Sequence, residues 1–144
     1  MSQFPHSYTV SASTKSEGNV SLTASGLPDL ASAPPKEFGG PGDQWSPEDL
    51  LVGAVADCFV LSFRAIAAAS KLEFVDLGCS VEGKLDRVER DVRFTEMKIT
   101  ANLKVPADAD VSRAQRSLEK AEGMCFITNS LVADVHLDAT IDTV

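Results

Sequence analysis

The chain has 144 residues, a length that favours one domain with a substantial hydrophobic core and no need for disulfide bonds. Its formal net charge is −8, with 21 acidic against 13 basic residues, and no run of lysine or arginine could neutralise phosphates. We therefore do not expect nucleic acid as a partner. The first residues, MSQFPHSYTV, are polar and unlike a signal peptide, so we expect a cytoplasmic protein whose three cysteines are free thiols or include a redox pair.

The first part of the chain has the pattern of short strands joined by turns. Apolar and polar residues alternate over residues 8–13 and again over residues 20–24, and this period of two predicts two strands. The polar segment between them contains Gly18 and is short enough to return one strand antiparallel to the other. We expect this hairpin to be followed by a third short strand at residues 29–33.

A long loop rich in glycine and proline covers most of residues 25–45. Loops of this length in a compact domain are usually either functional or disordered. This loop carries two large apolar side chains, Phe38 and Trp45, which favour an ordered conformation because both would gain from burial. We therefore expect the loop to line a pocket with these two residues.

Residues 46–72 predict one long buried helix, around which the rest of the chain is organised. Ser46 is a preferred N-cap residue, Pro47 suits the first helical position, and Asp49 can complete a capping box. Apolar residues occupy every side of the helix, whose interior has two charges, Asp57 and Arg64, so we expect cover on most faces. A membrane span is the alternative, but each charge would cost about 2.5–3.5 kcal/mol near the bilayer centre, and we expect no membrane association.

The second half of the chain begins with two long strands. Apolar residues alternate over residues 75–85 and 92–105, and we expect Val92 and Phe94 to point inward. The parity of the alternation changes at residues 95–96. Because a shift of one residue reverses the face on which each side chain lies, this change predicts a β-bulge.

A second helix and a last strand follow. Asp108 or Asp110 can cap a helix that runs to residue 122, with Gly123 as its C-cap. Its apolar residues form a narrow stripe, which is typical of a surface helix. Residues 135–141 alternate again and predict the final strand.

These elements indicate the α+β class rather than a doubly wound α/β fold. Neighbouring strands joined by short turns favour antiparallel sheets, which the long central helix must cover. The many small residues of that helix would let a second backbone approach closely, and this backbone could come from a second copy of the chain. We expect a single domain over residues 1–144.

Two cysteines lie in apolar surroundings that suit thiol chemistry. Cys58 stands in AVADCFVL and Cys125 in EGMCFI, and the residues after them, Phe59 and Phe126, are candidates to line a substrate pocket. A thiolate that attacks a peroxide becomes a sulfenic acid, which a second thiol rescues by closing a disulfide. Cys58 is the candidate attacker and Cys125 the candidate resolver. The alternative is that they only fill space, as we expect of Cys79 on the apolar face of a strand, because free cysteine is among the most buried residue types.

A buried thiol needs a cation or a hydrogen-bond donor to stabilise its anion, and the neighbouring residues offer little. Asp57 has the wrong sign, and Arg64 is turned about a third of a revolution away from Cys58 on the helix. Glu48 precedes Cys58 by about 15 Å along the axis and cannot touch that thiol in a straight helix. The activating group must therefore come from elsewhere in the fold or from a partner chain.

Other kinds of site have little support. There is no CxxC or paired Cys/His spacing for zinc, and the two histidines, His6 and His136, stand near the terminus and on the polar face of a strand. The sequence contains no P-loop, no GxGxxG and no GxSxG. We expect no metal site and no cofactor.

Two segments of the sequence resemble the family of osmotically inducible protein C and the organic hydroperoxide resistance proteins, abbreviated OsmC/Ohr. They are EFGGPGDQWSPEDLLVGAVADCF at residues 37–59 and AEGMCFITNSL at residues 121–131. The resemblance implies an OsmC-like fold of antiparallel sheets wrapped around a long central helix. It also implies an intertwined homodimer, in which strands of both chains form shared sheets and the active sites lie at the dimer interface.

The resemblance further implies a thiol-dependent peroxidase that reduces organic hydroperoxides as an antioxidant under oxidative stress. Its disulfide would be reduced by a dithiol such as a lipoyl-protein. Matching the motifs of the family, Cys58 would be the peroxidatic residue, Cys125 the resolving residue, and Glu48 the carboxylate that orients an arginine toward the thiolate.

The arginine is where this chain departs from the family pattern. Family peroxidases carry it in the first hairpin, where this chain reads STKSEGNV, and no arginine precedes Arg64. Lys15 and Lys36 are possible substitutes, although lysine lacks the planar fork of arginine. The alternative function is a non-catalytic or redox-sensing member of the family, whose apolar pocket binds a small hydrophobic ligand.

Overall fold

The structure is a computed structural model that describes residues 3–144. The chain forms two compact units, one up to Leu50 and one from Leu51 to Val144. A single domain over the whole chain stays a prediction.

The first unit contains a small antiparallel sheet. Its strands are β1 (Ser11–Ser13), β2 (Val20–Thr23) and β3 (Leu30–Ser32), in the order β1-β2-β3. This arrangement confirms both the predicted hairpin and the third short strand. Strand β1 is shorter than the predicted range, because residues 8–10 lie outside the sheet and Tyr8 is almost fully exposed.

The loop after β3 is ordered by backbone hydrogen bonds, as predicted. The N–H of Ala33 donates to the carbonyl oxygen of Trp45 over 2.9 Å, which joins the two ends of the loop. One 3₁₀ turn (Lys36–Phe38) lies between them. A Cβ at position 40 would overlap the carbonyl oxygen of Pro34, so the tight part of this loop requires Gly40.

The long helix α1 (Pro47–Ala69) begins where the sequence predicts it. The hydroxyl of Ser46 accepts a hydrogen bond from the N–H of Asp49 over 3.0 Å, and the Asp49 carboxylate accepts the N–H of Ser46 over 3.1 Å. This reciprocal pair is a capping box with aspartate in place of glutamate. It fixes the first turn of the helix.

Helix α1 ends three residues before the predicted position. Lys71 adopts a left-handed conformation with φ of 57°, and the N–H of Leu72 donates back to the carbonyl oxygen of Ala67 over 2.8 Å. The N–H of Lys71 bonds the carbonyl oxygen of Ala68. These two bonds form a Schellman motif, which normally has glycine at the left-handed position.

One face of α1 is buried, and its members recur every three or four positions: Val55, Phe59, Phe63, Ile66 and Ala67. Leu61 lies outside this face and keeps 49% of its surface exposed. We expected most faces of α1 to be buried, and within a single chain this prediction is wrong. Apolar residues on every side of a helix do not ensure that another element packs against every side. Within residues 3–144, α1 is the one helix long and apolar enough to cross a membrane by length and composition; a core helix passes the same test.

The second unit is built on a sheet of three long strands. They are β4 (Asp76–Val88), β5 (Asp91–Val105) and β6 (Asp134–Thr143), in the order β4-β5-β6. Strands β4 and β5 are antiparallel, but β6 runs parallel to β5. The prediction of purely antiparallel sheets is wrong here. Residues 106–133 connect β5 to β6 and include a helix. This connection is long enough to return the chain to the end of the sheet at which β5 begins, as a parallel strand requires.

A β-bulge interrupts the β4–β5 ladder at the predicted place. Lys84 pairs with Glu96 and Leu85 pairs with Phe94, so Thr95 is the extra residue. Phe94 packs against the core, as expected, whereas Val92 is half exposed. The prediction for Val92 is wrong because it lies at the turn end of the β4–β5 hairpin, where most residues are exposed.

The core of the second unit lies between α1, β5 and the helix α2 (Val111–Gly123). The inward side chains of β5 are nearly all fully buried, and they are Met97, Ile99, Ala101, Leu103 and Val105. Asp110 caps α2 by accepting the N–H of Arg113 over 3.1 Å, and the buried stripe of α2 is narrow, as predicted. The C-cap is Met124 rather than Gly123, which is the last helical residue. A short helix α3 (Phe126–Asn129) follows.

Candidate thiol site

The second unit brings Cys58 and Cys125 together. Cys58 lies two turns into the part of α1 that belongs to this unit, and Cys125 lies between α2 and α3. Their side chains interact, and this interaction lowers the pKa of Cys58 and raises the pKa of Cys125. Cys125 is fully buried, whereas Cys58 is partly exposed. Both are free thiols, so the structure represents the reduced pair.

The backbone around Cys125 is held in a fixed turn. Cys125 is the N-cap residue of α3, and its carbonyl oxygen accepts the N–H of Asn129 over 3.0 Å. The hydroxyl of Thr128 donates to the same oxygen over 3.3 Å. This turn leaves the first N–H groups of α3, those of Phe126 and Ile127, to bond the sulfur of Cys58.

Burial raises the pKa of the Cys58 thiol, but four hydrogen bonds oppose it. Two come from the backbone N–H groups of Ile127 and Phe126, and two from the Cys125 thiol and the Ser62 hydroxyl. Together they hold the pKa of Cys58 below that of an ordinary cysteine. The Cys58 sulfur is therefore the one that ionises first.

The pKa of Cys125 moves in the opposite direction. Burial raises it, and the neighbouring Cys58 raises it further because two anions would repel each other, while hydrogen bonds from Thr128 only partly oppose these effects. Cys125 consequently stays a thiol and donates its proton toward Cys58. The two interacting thiols thus differ in ionisation, while their roles as attacker and resolver stay predictions.

Cys79 has different surroundings. It lies on β4, and its sulfur donates a weak hydrogen bond to the carbonyl oxygen of Ala56 on α1, at 3.8 Å. Burial raises the pKa of this thiol. An inert thiol that packs a strand against a helix fits the space-filling role expected of Cys79.

The remaining candidate residues fall into two groups. Phe59 is fully buried in the core, and Phe126 keeps 69% of its surface exposed beside Cys125. Phe38 and Trp45 belong to the first unit, where both are more than half exposed. Whether these four line one pocket stays a prediction.

The charged candidates all lie in the first unit. Lys15 and Lys36 are exposed, and Glu48 stands in the first turn of α1. The Oε1 atom of Glu48 is buried and has no hydrogen-bond partner among residues 3–144. Their predicted roles around the thiolate stay predictions. In the same range, no group of three or more His, Cys, Asp and Glu residues could hold a metal ion.

Sequence reasoning missed three donors to the Cys58 sulfur. Ser62 follows Cys58 by four residues on one helix, a spacing that places two side chains on the same face, so it could have been found. The N–H groups of Phe126 and Ile127 could not, because only the fold brings the start of α3 to α1.

The fold and the site define an α+β protein in which a thiol of the central helix meets a second thiol at the start of a short later helix. Residues 40–140 match the family described as OsmC-like protein, and the chain belongs to that family. It is similar to the uncharacterized protein YmaD of Bacillus subtilis, with 30% identity over 106 residues that cover 72% of this chain and 71% of that protein.

Solved structures of the same fold agree with this assignment. An OsmC-like protein of unknown function from Vibrio cholerae has a TM-score of 0.85 at 16% identity, covering 94% of this chain and 100% of that chain. An organic hydroperoxide resistance protein OsmC from Legionella pneumophila has a TM-score of 0.75 at 23% identity, covering 97% and 99%. An organic hydroperoxide resistance protein from Elizabethkingia anophelis, with thiocyanate bound, has a TM-score of 0.77 at 18% identity, covering 99% and 100%.

Proposed function

We propose that this protein is a thiol-dependent peroxidase that reduces organic hydroperoxides through the Cys58 and Cys125 redox pair. The observation that carries the proposal is the interaction between two thiols whose pKa values move in opposite directions. A nucleophilic thiolate next to a protonated thiol is the arrangement that a two-cysteine peroxidase needs. The names of the Legionella pneumophila and Elizabethkingia anophelis proteins support the same substrate class.

The chemistry runs in three balanced steps. The Cys58 thiolate attacks the peroxide, so that an S–O bond forms, the O–O bond breaks, and the alkoxide leaves as an alcohol after taking a proton. Cys58 is then a sulfenic acid. The sulfur of Cys125 attacks it and a disulfide forms, while the hydroxyl of the sulfenic acid and the Cys125 proton leave as water. An external dithiol, such as a lipoyl-protein, returns two electrons and two protons.

The surroundings of the pair favour an organic substrate. Met124 and Phe126 flank Cys125 in sequence, and they keep 48% and 69% of their surfaces exposed. Apolar side chains beside a reactive sulfur favour a peroxide with a hydrocarbon part over hydrogen peroxide, because burying that part releases ordered water.

The protein is also proposed to act as a cytoplasmic homodimer. The partly exposed face of α1, with Leu61 half exposed and Ala65 and Ala68 also exposed, supports a second copy, since exposed apolar surface is typical of an interface. The mass in solution tests this part of the proposal. A monomer at working concentration would contradict it.

A steady-state assay tests the peroxidase activity. With cumene hydroperoxide as substrate and dithiothreitol as reductant, the wild-type protein is expected to consume peroxide, and Cys58→Ser to fall to the rate of the uncatalysed reaction. Cys79→Ser is the matched control and should keep the wild-type rate. Unchanged consumption by Cys58→Ser would rule out the proposal.

A non-catalytic or redox-sensing function is the second candidate, and the state of Glu48 favours it. The buried Oε1 atom has no hydrogen-bond partner among residues 3–144, and no arginine precedes Arg64 in the sequence. A carboxylate without its cation would not orient a thiolate. Retention of a hydrophobic ligand by the Cys58→Ser, Cys125→Ser double variant, with no peroxide consumption by the wild type, would favour this function.

A further inference from the structure

Ser62 stands on α1 one turn after Cys58, and its Oγ lies 3.9 Å from the Cys58 Sγ. Residues four apart on a helix face the same side, so this contact is built into the helix and needs no other element to hold it. Ser62 is partly buried, in the same stretch of α1 as the core residues Phe59 and Phe63. Its hydroxyl is therefore only partly accessible to the water that would compete for it.

A second serine, which directly follows the last residue of the same helix, shows that this contact is not the default. Serine within a helix commonly donates to the carbonyl oxygen four residues earlier. Ser70 does this, with its hydroxyl 2.8 Å from the carbonyl oxygen of Ile66. The hydroxyl of Ser62 has the sulfur of Cys58 as its partner instead.

The charge around Cys58 makes a neutral donor important. Within residues 51–144, the titratable group that interacts with the Cys58 sulfur is Cys125, which carries no positive charge. The adjacent Asp57 is exposed and negative. Stabilisation of a Cys58 anion in this unit therefore comes from hydrogen-bond donors, which are the two backbone N–H groups of α3, the Cys125 thiol and the Ser62 hydroxyl.

We propose that Ser62 is a positioning residue of the thiol site, whose hydroxyl donates to the Cys58 sulfur and keeps it ionised and oriented for attack on the peroxide. Ser62 keeps its own proton throughout, so it acts through Cys58 and does not enter the proton balance of the reaction. The effect on turnover rests on the proposed peroxidase function. The effect on the ionisation of Cys58 does not.

The Ser62 hydroxyl is available at a different stage of the reaction from the other three donors to Cys58. The Cys125 thiol is consumed as a donor when the disulfide forms, and the N–H groups of Phe126 and Ile127 depend on the turn that Cys125 caps. Ser62 shares a continuous helix with Cys58 and needs neither. It can therefore bond the Cys58 thiolate again as soon as the disulfide is reduced.

The test is the pH dependence of the alkylation of Cys58 by iodoacetamide, followed by peptide mapping. The variants are Ser62→Ala, Ser62→Thr and the control Ser70→Ala, which removes a hydroxyl just beyond the end of the same helix. We expect the Ser62→Ala inflection to move to higher pH, with alkylation about three- to tenfold slower at a pH below the inflection, the size of one net hydrogen bond. Ser70→Ala should match the wild type.

Ser62→Thr keeps a hydroxyl at the same position and is expected to restore the wild-type inflection. An inflection of Ser62→Ala that equals that of the wild type, in protein with the wild-type circular dichroism spectrum, would overturn the proposal. Alanine is the best helix former, so this variant is expected to fold.

Peroxidase kinetics separate this proposal from the proposed function. Ser62→Ala should lower kcat/KM at low pH and approach the wild-type value at high pH, where Cys58 is ionised without help. A loss of packing would lower kcat/KM equally at every pH. If the wild type consumes no peroxide while Ser62→Ala still shifts the alkylation profile, the peroxidase function fails and the role of Ser62 stands.

Discussion

Cys125 is the N-cap residue of the short helix whose first backbone N–H groups bond the sulfur of Cys58. The residue proposed to resolve the oxidised thiol therefore also positions the donors that ionise it. Closing a Cys58 to Cys125 disulfide removes the anion that these N–H groups stabilise. Reducing it restores the anion and its donors together.

The opposite pKa directions of the two thiols predict selective labelling. A lowered pKa means that Cys58 becomes a thiolate at a lower pH than an ordinary cysteine, so its alkylation rate should rise and level off earlier as the pH increases. Cys125 and Cys79, whose pKa values are raised, should react more slowly than Cys58 at pH values near neutrality. Peptide mapping after limited iodoacetamide treatment measures this. Equal labelling of all three cysteines would contradict it.

Removing the resolving thiol should change the product more than the first turnover. Cys125→Ser is expected to form the Cys58 sulfenic acid with one equivalent of cumene hydroperoxide and to advance to the sulfinic acid with excess peroxide. Dimedone trapping and intact mass distinguish the two states. The matched variant Cys79→Ser should form the intramolecular disulfide and resist over-oxidation. Over-oxidation of Cys79→Ser to the same extent would exclude Cys125 as the resolver.

Two glycines of β4 provide a matched test of how closely α1 packs on the sheet. A Cβ on Gly83 would lie 2.7 Å from the Cγ2 of Val52 and 3.1 Å from the Sδ of Met97, both in the packed interior, whereas a Cβ on Gly78 would meet nothing within 4 Å. Gly83→Ala should lower the free energy of unfolding by about 1–3 kcal/mol through overpacking. Gly78→Ala should not lower it, because its Cβ meets no atom and alanine loses less entropy on folding than glycine. Urea denaturation measures both, and equal effects would contradict the packing described.

The left-handed residue at the end of α1 predicts a stabilising change. Lys71 has a φ of 57°, a conformation that costs an L-residue with a side chain about 1–2 kcal/mol relative to the right-handed region. Lys71→Gly should therefore raise the free energy of unfolding by about 0.5–1 kcal/mol, since glycine also loses more entropy on folding. Lys71→Ala removes the same side chain without this relief and should give no gain. A gain of the same size from Lys71→Ala would refute the explanation.

Local patterns in the sequence predict most of the secondary structure. The capping box of Ser46 and Asp49 and the bulge at Thr95 were predictable because each depends on residues close in sequence or on a change of parity along one strand. The parallel pairing of β6 with β5 was not predictable, since the alternation of apolar and polar residues does not show in which direction a strand runs. The uncovered side of α1 was missed for a related reason, because a helical wheel shows which residues are apolar and not which neighbours are present.

The two cysteines of the candidate site could be predicted from the sequence, but the groups that stabilise the Cys58 thiolate could not. The resemblance to the OsmC/Ohr family singled out Cys58 and Cys125, and the two thiols interact in the structure. Close to Cys58 in the sequence we found neither a cation nor a hydrogen-bond donor that could stabilise the thiolate. The second unit supplies hydrogen-bond donors instead, two of them backbone N–H groups that carry no signal in the residue types of Phe126 and Ile127.

The most direct test of the redox pair is thiol counting on the reduced protein after one equivalent of cumene hydroperoxide, followed by intact mass and peptide mapping. The proposal predicts a rapid loss of two of the three thiols, a mass lower by two hydrogens, and a linked peptide that contains Cys58 and Cys125. Three free thiols after long exposure to the peroxide would contradict it.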